Sequence, residues 1–113
     1  DVVAEFSSRG PARGRVAKPD VVAPGVGVIS LNTDRDYISG LRLYSLERAY
    51  ATMSGTSVAA PVVAGIAALI LEKHPDYKPD DIKKLLQKYA RNIDGNIYAQ
   101  GKGLVDLERI LKV

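Results

Sequence analysis

The stretch of this chain best suited to chemistry is Ser54-Gly55-Thr56-Ser57-Val58-Ala59-Ala60-Pro61. Two small residues lead into a serine at the start of an apolar run. Gly55 permits a tight bend and leaves room for a bound molecule. Free N–H groups at a helix start point outward and favour developing negative charge. An oxyanion formed next to Ser57 could accept its backbone N–H. A rigid apolar helix behind the serine would hold the geometry that nucleophilic attack requires. Serine and threonine are also the preferred helix N-caps, and by local chemistry alone capping is the commoner use of such a pair.

A serine hydroxyl is a poor nucleophile until a base takes its proton. The chain has one histidine, His74, 17 residues after Ser57. At about 1.5 Å per helical residue it lies roughly 25 Å away, beyond the reach of a base within the same chain. It reads instead as a residue at a helix C-terminus. Acidic pairs occur at Asp34/Asp36 and Asp80/Asp81. Neither shows the alternating-oxygen spacing of a dedicated calcium loop. Asp80 and Asp81 are explained by the positive end of a helix dipole. No glycine-rich loop precedes a helix with a lysine, so nucleotide binding is unsupported.

The elements that must position Ser57 follow from patterning. Val2 to Phe6 reads as a short strand closed by the turn cluster Ser7-Ser8-Arg9-Gly10-Pro11. Asp20 to Ala23 is a second extended piece, broken by Pro24-Gly25. Val26 to Leu31 is the strongest strand, rich in β-branched residues. Asn32 to Ala49 is a polar excursion without a clean period, the kind of long connection used for function or mobility. Tyr50 to Met53 is extended.

A helix follows from Thr56 or Ser57 to about Lys73, with Pro61 in or just beyond its first turn, where a missing N–H costs little. Val62, Val63, Ile66, Leu69, Ile70 and Leu71 make it apolar all round, the signature of a buried helix. A second helix begins at Pro79, and Ile82, Leu85, Leu86 and Tyr89 form its buried stripe. Leu104 to Leu111 reads as a final helix with Asp106 as its cap. Strands followed by helices indicate an α/β layer arrangement.

The bulk numbers narrow the field further. A chain of 113 residues suits one domain at most, or a piece of something larger. Hydrophobic residues make up 46% and charged residues 26%, an ordinary globular balance. Net charge is +3. Arg9, Arg13, Arg15 and Lys18 are spaced by Gly and Pro and read as a solvated loop, too sparse for a nucleic-acid stripe. The apolar run Val58 to Leu71 spans 14 residues, short of the roughly 20 of a membrane span. With no cysteine, disulfides and thiolate metal sites are excluded and the compartment stays open.

The segment Gly55-Thr56-Ser57-Val58-Ala59-Ala60-Pro61 resembles the serine signature of the subtilisin-like proteases, with no departure at its defining positions. Phe6-Ser7-Ser8-Arg9-Gly10-Pro11, Lys18 to Val26, and Gly101-Lys102-Gly103-Leu104-Val105 resemble further segments of that family in order and approximate spacing. The wording of the first leans toward the intracellular alkaline branch.

The resemblance implies that residues 1–113 are the incomplete, C-terminal part of a peptidase S8 catalytic domain. Its fold would be a portion of a three-layer α/β fold with a mostly parallel sheet, a buried central helix after the nucleophile and two further C-terminal helices. Ser57 would attack the scissile carbonyl of a peptide or protein substrate, with its own N–H as one oxyanion donor. Thr56 would add a weaker contact, Gly55 would leave room for substrate, and Ser54 and Met53 would line the leaving-group side. The family's aspartate, histidine and oxyanion asparagine have no matching segment here. They are expected from the N-terminal part of the same domain, so the chain alone is expected to be inactive.

The chain is assigned no cofactor or metal of its own, and calcium is left to the full-length enzyme. No nucleic-acid or membrane partner is expected. Uncovered apolar faces would favour self-association. The runner-up reading is a non-catalytic fragment or pseudo-protease acting as a binding module, though such a protein has no chemical need for an intact Gly55-Thr56-Ser57.

Overall fold

A computed structural model describes residues 1–32, 50–93 and 95–113. The excursion from Asn32 to Ala49, apart from Asn32 itself, and the pair Asp34/Asp36 lie outside the described residues. The described elements are a single 3₁₀ turn (Arg13–Arg15), strands β1 (Val28–Leu31) and β2 (Tyr50–Met53), and helices α1 (Thr56–Lys73), α2 (Pro79–Tyr89), α3 (Ile97–Gln100) and α4 (Leu107–Leu111).

β1 and β2 form an antiparallel pair, with Val28 opposite Met53 and Leu31 opposite Tyr50. This follows from their composition, since Val28, Ile29, Tyr50 and Thr52 favour a pleated surface. Ile29, Leu31 and Tyr50 are nevertheless largely exposed. The α/β class holds, but the parallel pairing expected of the sheet survives among the described residues only as the bridge between Val22 and Leu104.

Val2 to Phe6 forms no strand and passes into a turn closed by Ser7 N–H on the Ala4 carbonyl. A β-branched run becomes a strand only when a neighbour accepts its ladder, and no described residue pairs with this one.

α1 runs as expected over 18 residues. Ile66 and Ile70 point inward and join Leu86 of α2, Val105 and Ile110 of α4 in one core, flanked by Val62, Val63, Ile82 and Leu85. Burying a side chain such as Ile70, 1% exposed, stabilises the fold by about 1.5–3 kcal/mol. Among the described residues the expectation of a helix buried on every face is not met. Pro61, Ala64, Gly65, Ala68 and Leu69 face outward, because the described packing partners lie on one side. By length and composition alone α1 is long and apolar enough to cross a membrane, more than its 14-residue apolar run suggested. Here it packs through Ile66 and Ile70 against other helices.

α2 begins at Pro79 as the sequence indicates, and its amphipathic stripe faces the core. The Asp81 carboxylate accepts the Lys78 N–H at 3.0 Å. It therefore satisfies a backbone donor at the helix start as well as complementing the dipole.

Among the described residues three helical elements, not two, follow α1. The four-residue α3 is capped by Asn96, whose Oδ1 accepts the Tyr98 N–H. The last helix starts at Leu107 rather than Leu104, with Asp106 accepting the Arg109 N–H at 3.0 Å. Leu104 and Val105 are committed elsewhere. Leu104 exchanges two hydrogen bonds of 2.8 Å with Arg91, while Val22 donates to Gly103 and accepts from Val105 at 2.9 Å each.

Buried Gln100 ties this loop together. Its Oε1 accepts the Ile93 N–H and its Nε2 donates to Asn92 Oδ1. These bonds satisfy a polar side chain that burial would otherwise penalise.

Candidate active site

Ser57 is the second residue of α1 and is exposed to solvent. The amides of a first helical turn have no intrahelical acceptor, so the Ser57 N–H is directed out of the helix. Gly55 is the N-cap residue. A Cβ there would stand 3.3 Å from Ser57 Oγ, so the missing side chain is what keeps the hydroxyl clear. The Gly55 carbonyl receives the Val58 and Ala59 N–H groups at 3.0 and 3.2 Å. Among the described residues no side-chain cap bond closes this first turn.

Pro61 sits at the sixth position of α1, one turn deeper than its harmless place at a helix start. It has no N–H for the carbonyl four residues earlier, and that carbonyl belongs to Ser57. The Ser57 carbonyl therefore lacks the bond an ordinary helix would give it.

A second segment holds the turn before the serine. The Gly55 N–H donates to the Gly25 carbonyl at 2.8 Å. The Gly27 N–H donates to Ser54 Oγ at 2.8 Å. Gly25 must be small, because a Cβ would fall 2.8 Å from the Gly55 oxygen and 3.0 Å from the Ala59 Cβ. The structure thus gives the Ser54 hydroxyl a clasping job. Met53 ends β2 and is 62% exposed, and Thr56 is exposed beside Ser57. Ser57, Thr56, Gly55, Ser54 and Met53 are all contiguous at this mouth. Gly25 and Gly27 were missed as site-building residues, although Pro24-Gly25-Val26-Gly27 marks a tight loop. A groove of about 520 Å³ opens beside them, bordered by Val2, Val26, Thr56, Ala59, Ala60 and Val63 among others.

His74 stands at the opposite end of α1. Its N–H donates to the Ile70 carbonyl at 2.8 Å, and its ring stacks on Tyr77 with centroids 4.5 Å apart. It takes no part in the site. Among the described residues no three acidic or histidine side chains gather as a metal cluster, and the Asp81 carboxylate is engaged by Lys78.

The loop carrying Gly25 is anchored further back at Asp20. One carboxylate oxygen meets Lys83 Nζ at 3.0 Å and Gln87 Nε2 at 3.1 Å, and the other is bonded by Lys18. Burial pushes the Asp20 carboxyl up. Hydrogen bonds and charge from Lys18 and Lys83 more than offset this and leave it below its ordinary value of 3.8. A carboxyl depressed in the folded state adds stability above its unfolded pKa and loses it as pH falls through the folded one. Thermal melts should therefore show the midpoint dropping as the pH is taken below 3.8. In Asp20→Asn that part of the slope should flatten. An unchanged slope would remove Asp20 from the acid sensitivity.

Comparison with known proteins gives a consistent set. The family model described as the subtilase family matches residues 1–103. The serine protease AprX of Bacillus subtilis is 49% identical over 112 residues, covering 96% of this chain and 25% of that protein. The subtilisin-like protease SBT1.9 of Arabidopsis thaliana is 39% identical, with 96% of this chain and 15% of the relative covered.

Among solved structures, the CspB protease of Clostridium perfringens superposes with a TM-score of 0.74 at 35% identity, over 96% of this chain and 23% of that one. Fervidolysin from Fervidobacterium pennivorans, a keratinolytic enzyme related to subtilisin, superposes with a TM-score of 0.67 at 36% identity, over 80% and 14%. The chain spans a quarter or less of the length of these relatives.

Proposed function

The chain belongs to the subtilase family, and from that membership we propose that it carries the nucleophile of a serine endopeptidase whose other catalytic groups lie in polypeptide outside these 113 residues. One observation carries the reading: Ser57 stands exposed at the mouth of α1, with Gly55 leaving its Oγ unobstructed, inside the Gly55 to Pro61 signature.

In this reading a histidine from the remainder of the protease takes the Ser57 hydroxyl proton as Oγ bonds to the scissile carbonyl carbon. The Ser57 N–H donates to the oxyanion, together with an asparagine side chain from outside the chain. Collapse breaks the C–N bond, and the departing amine takes the proton from the histidine. Water then releases the acyl group and restores the hydroxyl. Thr56 flanks the oxyanion, and Ser54 and Met53 border the leaving-group side. The exposed Ile29, Leu31 and Tyr50 and the open face of α1 favour docking to the rest of the domain, or self-association in its absence.

The chain alone should hydrolyse no chromogenic peptide. It should react with a fluorophosphonate about a millionfold more slowly than the complete protease, the scale set by loss of the histidine base. Labelling of Ser57 at the rate of an intact serine protease would overturn this reading.

A further inference from the structure

We propose that Asp20 is a positioning residue for the nucleophile, acting through the segment from Asp20 to Gly27, which it fastens to α2 while the segment's far end grips the turn before Ser57. This rests on the reading of Ser57 given above. The near end is held by two independent sets of bonds. The Asp20 side chain takes Lys83, Gln87 and Lys18. The Asp20 backbone carbonyl takes the Lys102 N–H at 2.9 Å.

Val22 then locks into the ladder with Gly103 and Val105. At the far end the Gly25 carbonyl receives the Gly55 N–H, and the Gly27 N–H reaches Ser54 Oγ. Gly25 packs so closely on Gly55 and Ala59 that no side chain fits between. A shift of the segment is therefore passed to the helix mouth as displacement rather than absorbed in a void.

The bonds at Asp20 are charge-assisted, which makes them stronger and more directional than neutral ones. Its side chain is 29% exposed, so solvent screens part of that strength. Asp20 does not border the groove that opens beside Gly25 and Thr56. Its effect is on where Ser57 stands, so it should appear in the chemical step and not in ground-state binding.

The test follows amide hydrogen exchange in the complete protease. Asp20→Ala should speed exchange at Gly55 by about tenfold, the scale of a partly screened charge-assisted set, with Ile70 and Leu86 unchanged. Asp20→Asn keeps an acceptor and should fall between. It decides the matter if the alanine variant does not fold. In the complete protease Asp20→Ala should lower kcat and fluorophosphonate labelling by a similar factor with KM unchanged, and Asp20→Asn should recover part of the loss.

Unchanged exchange at Gly55, or acceleration spread equally over Gly55, Ile70 and Leu86, overturns the proposal. So does a rise in KM with kcat intact. A parent protease without activity would sink the functional reading while leaving the Gly55 exchange result to decide the role of Asp20.

Discussion

Ser57→Ala in the complete protease should lower kcat by about a millionfold while changing KM by no more than about threefold, the pattern known for loss of a triad member in this class of enzyme. The asymmetry has a physical source. The hydroxyl forms its bond to the carbonyl carbon only as the transition state is reached, so ground-state binding scarcely registers its removal. The Ser57 backbone N–H survives the substitution, and α1 still presents it at the helix mouth. A residual rate should therefore remain, about 10³–10⁴-fold above water, from oxyanion donation and binding alone. Since Ser57 is solvent-exposed, the variant should melt within about 0.5 kcal/mol of the parent. Steady-state kinetics beside a thermal melt checks both halves. A kcat loss smaller than about a hundredfold would take the nucleophile's role away from Ser57.

Gly103→Ala should destabilise the fold severely, at about 3–5 kcal/mol. Gly103 is buried, with φ at 123°, a conformation other residues reach only under strain. An added Cβ would land 2.3 Å from the Arg91 carbonyl oxygen and 2.6 Å from its carbon. Both are backbone atoms, and Arg91 is pinned by its paired bonds to Leu104. Neither side can yield without opening the ladder that also holds Val22. Gly65→Ala is the internal contrast. Its Cβ would meet nothing within 4 Å, and alanine in a helix interior is favoured by about 1 kcal/mol. Urea unfolding of the two variants should bracket the parent. A Gly103→Ala loss below about 1 kcal/mol would mean that the backbone there is softer than its geometry indicates.

The parts of the fold legible in the sequence are those whose signals are local. α1 announces itself by a long apolar run and ends at His74-Pro75. α2 announces itself by Pro79, two acids and a stripe at helical spacing. The serine was legible because a glycine, a threonine and a serine adjoin one another in the chain.

What could not be read depends on distant partners. Val2 to Phe6 has the composition of a strand, but no described residue pairs with it. Leu104, Leu107, Ile110 and Leu111 mimic a helix from its first member, yet Leu104 is taken by Arg91 and Val22. α3, at four residues, is too short to leave a periodic trace. Gly25, Gly27 and Asp20 build the site from far upstream, and nothing in their own neighbourhood names Ser54, Gly55 or Gln87 as what they hold.

The ladder joining Val22 to Leu104 also bears on the order of events during synthesis. A ribosome releases the segment from Asp20 to Gly27 about 80 residues before its ladder partners exist, so a contact of such long range must close late. Until Gly103 and Leu104 emerge, the segment has its side-chain anchor at Asp20 but not its backbone ladder. Ser57 itself emerges 46 residues ahead of Gly103, so over that stretch of synthesis its hydroxyl waits on a helix mouth whose outer brace has yet to be locked in place.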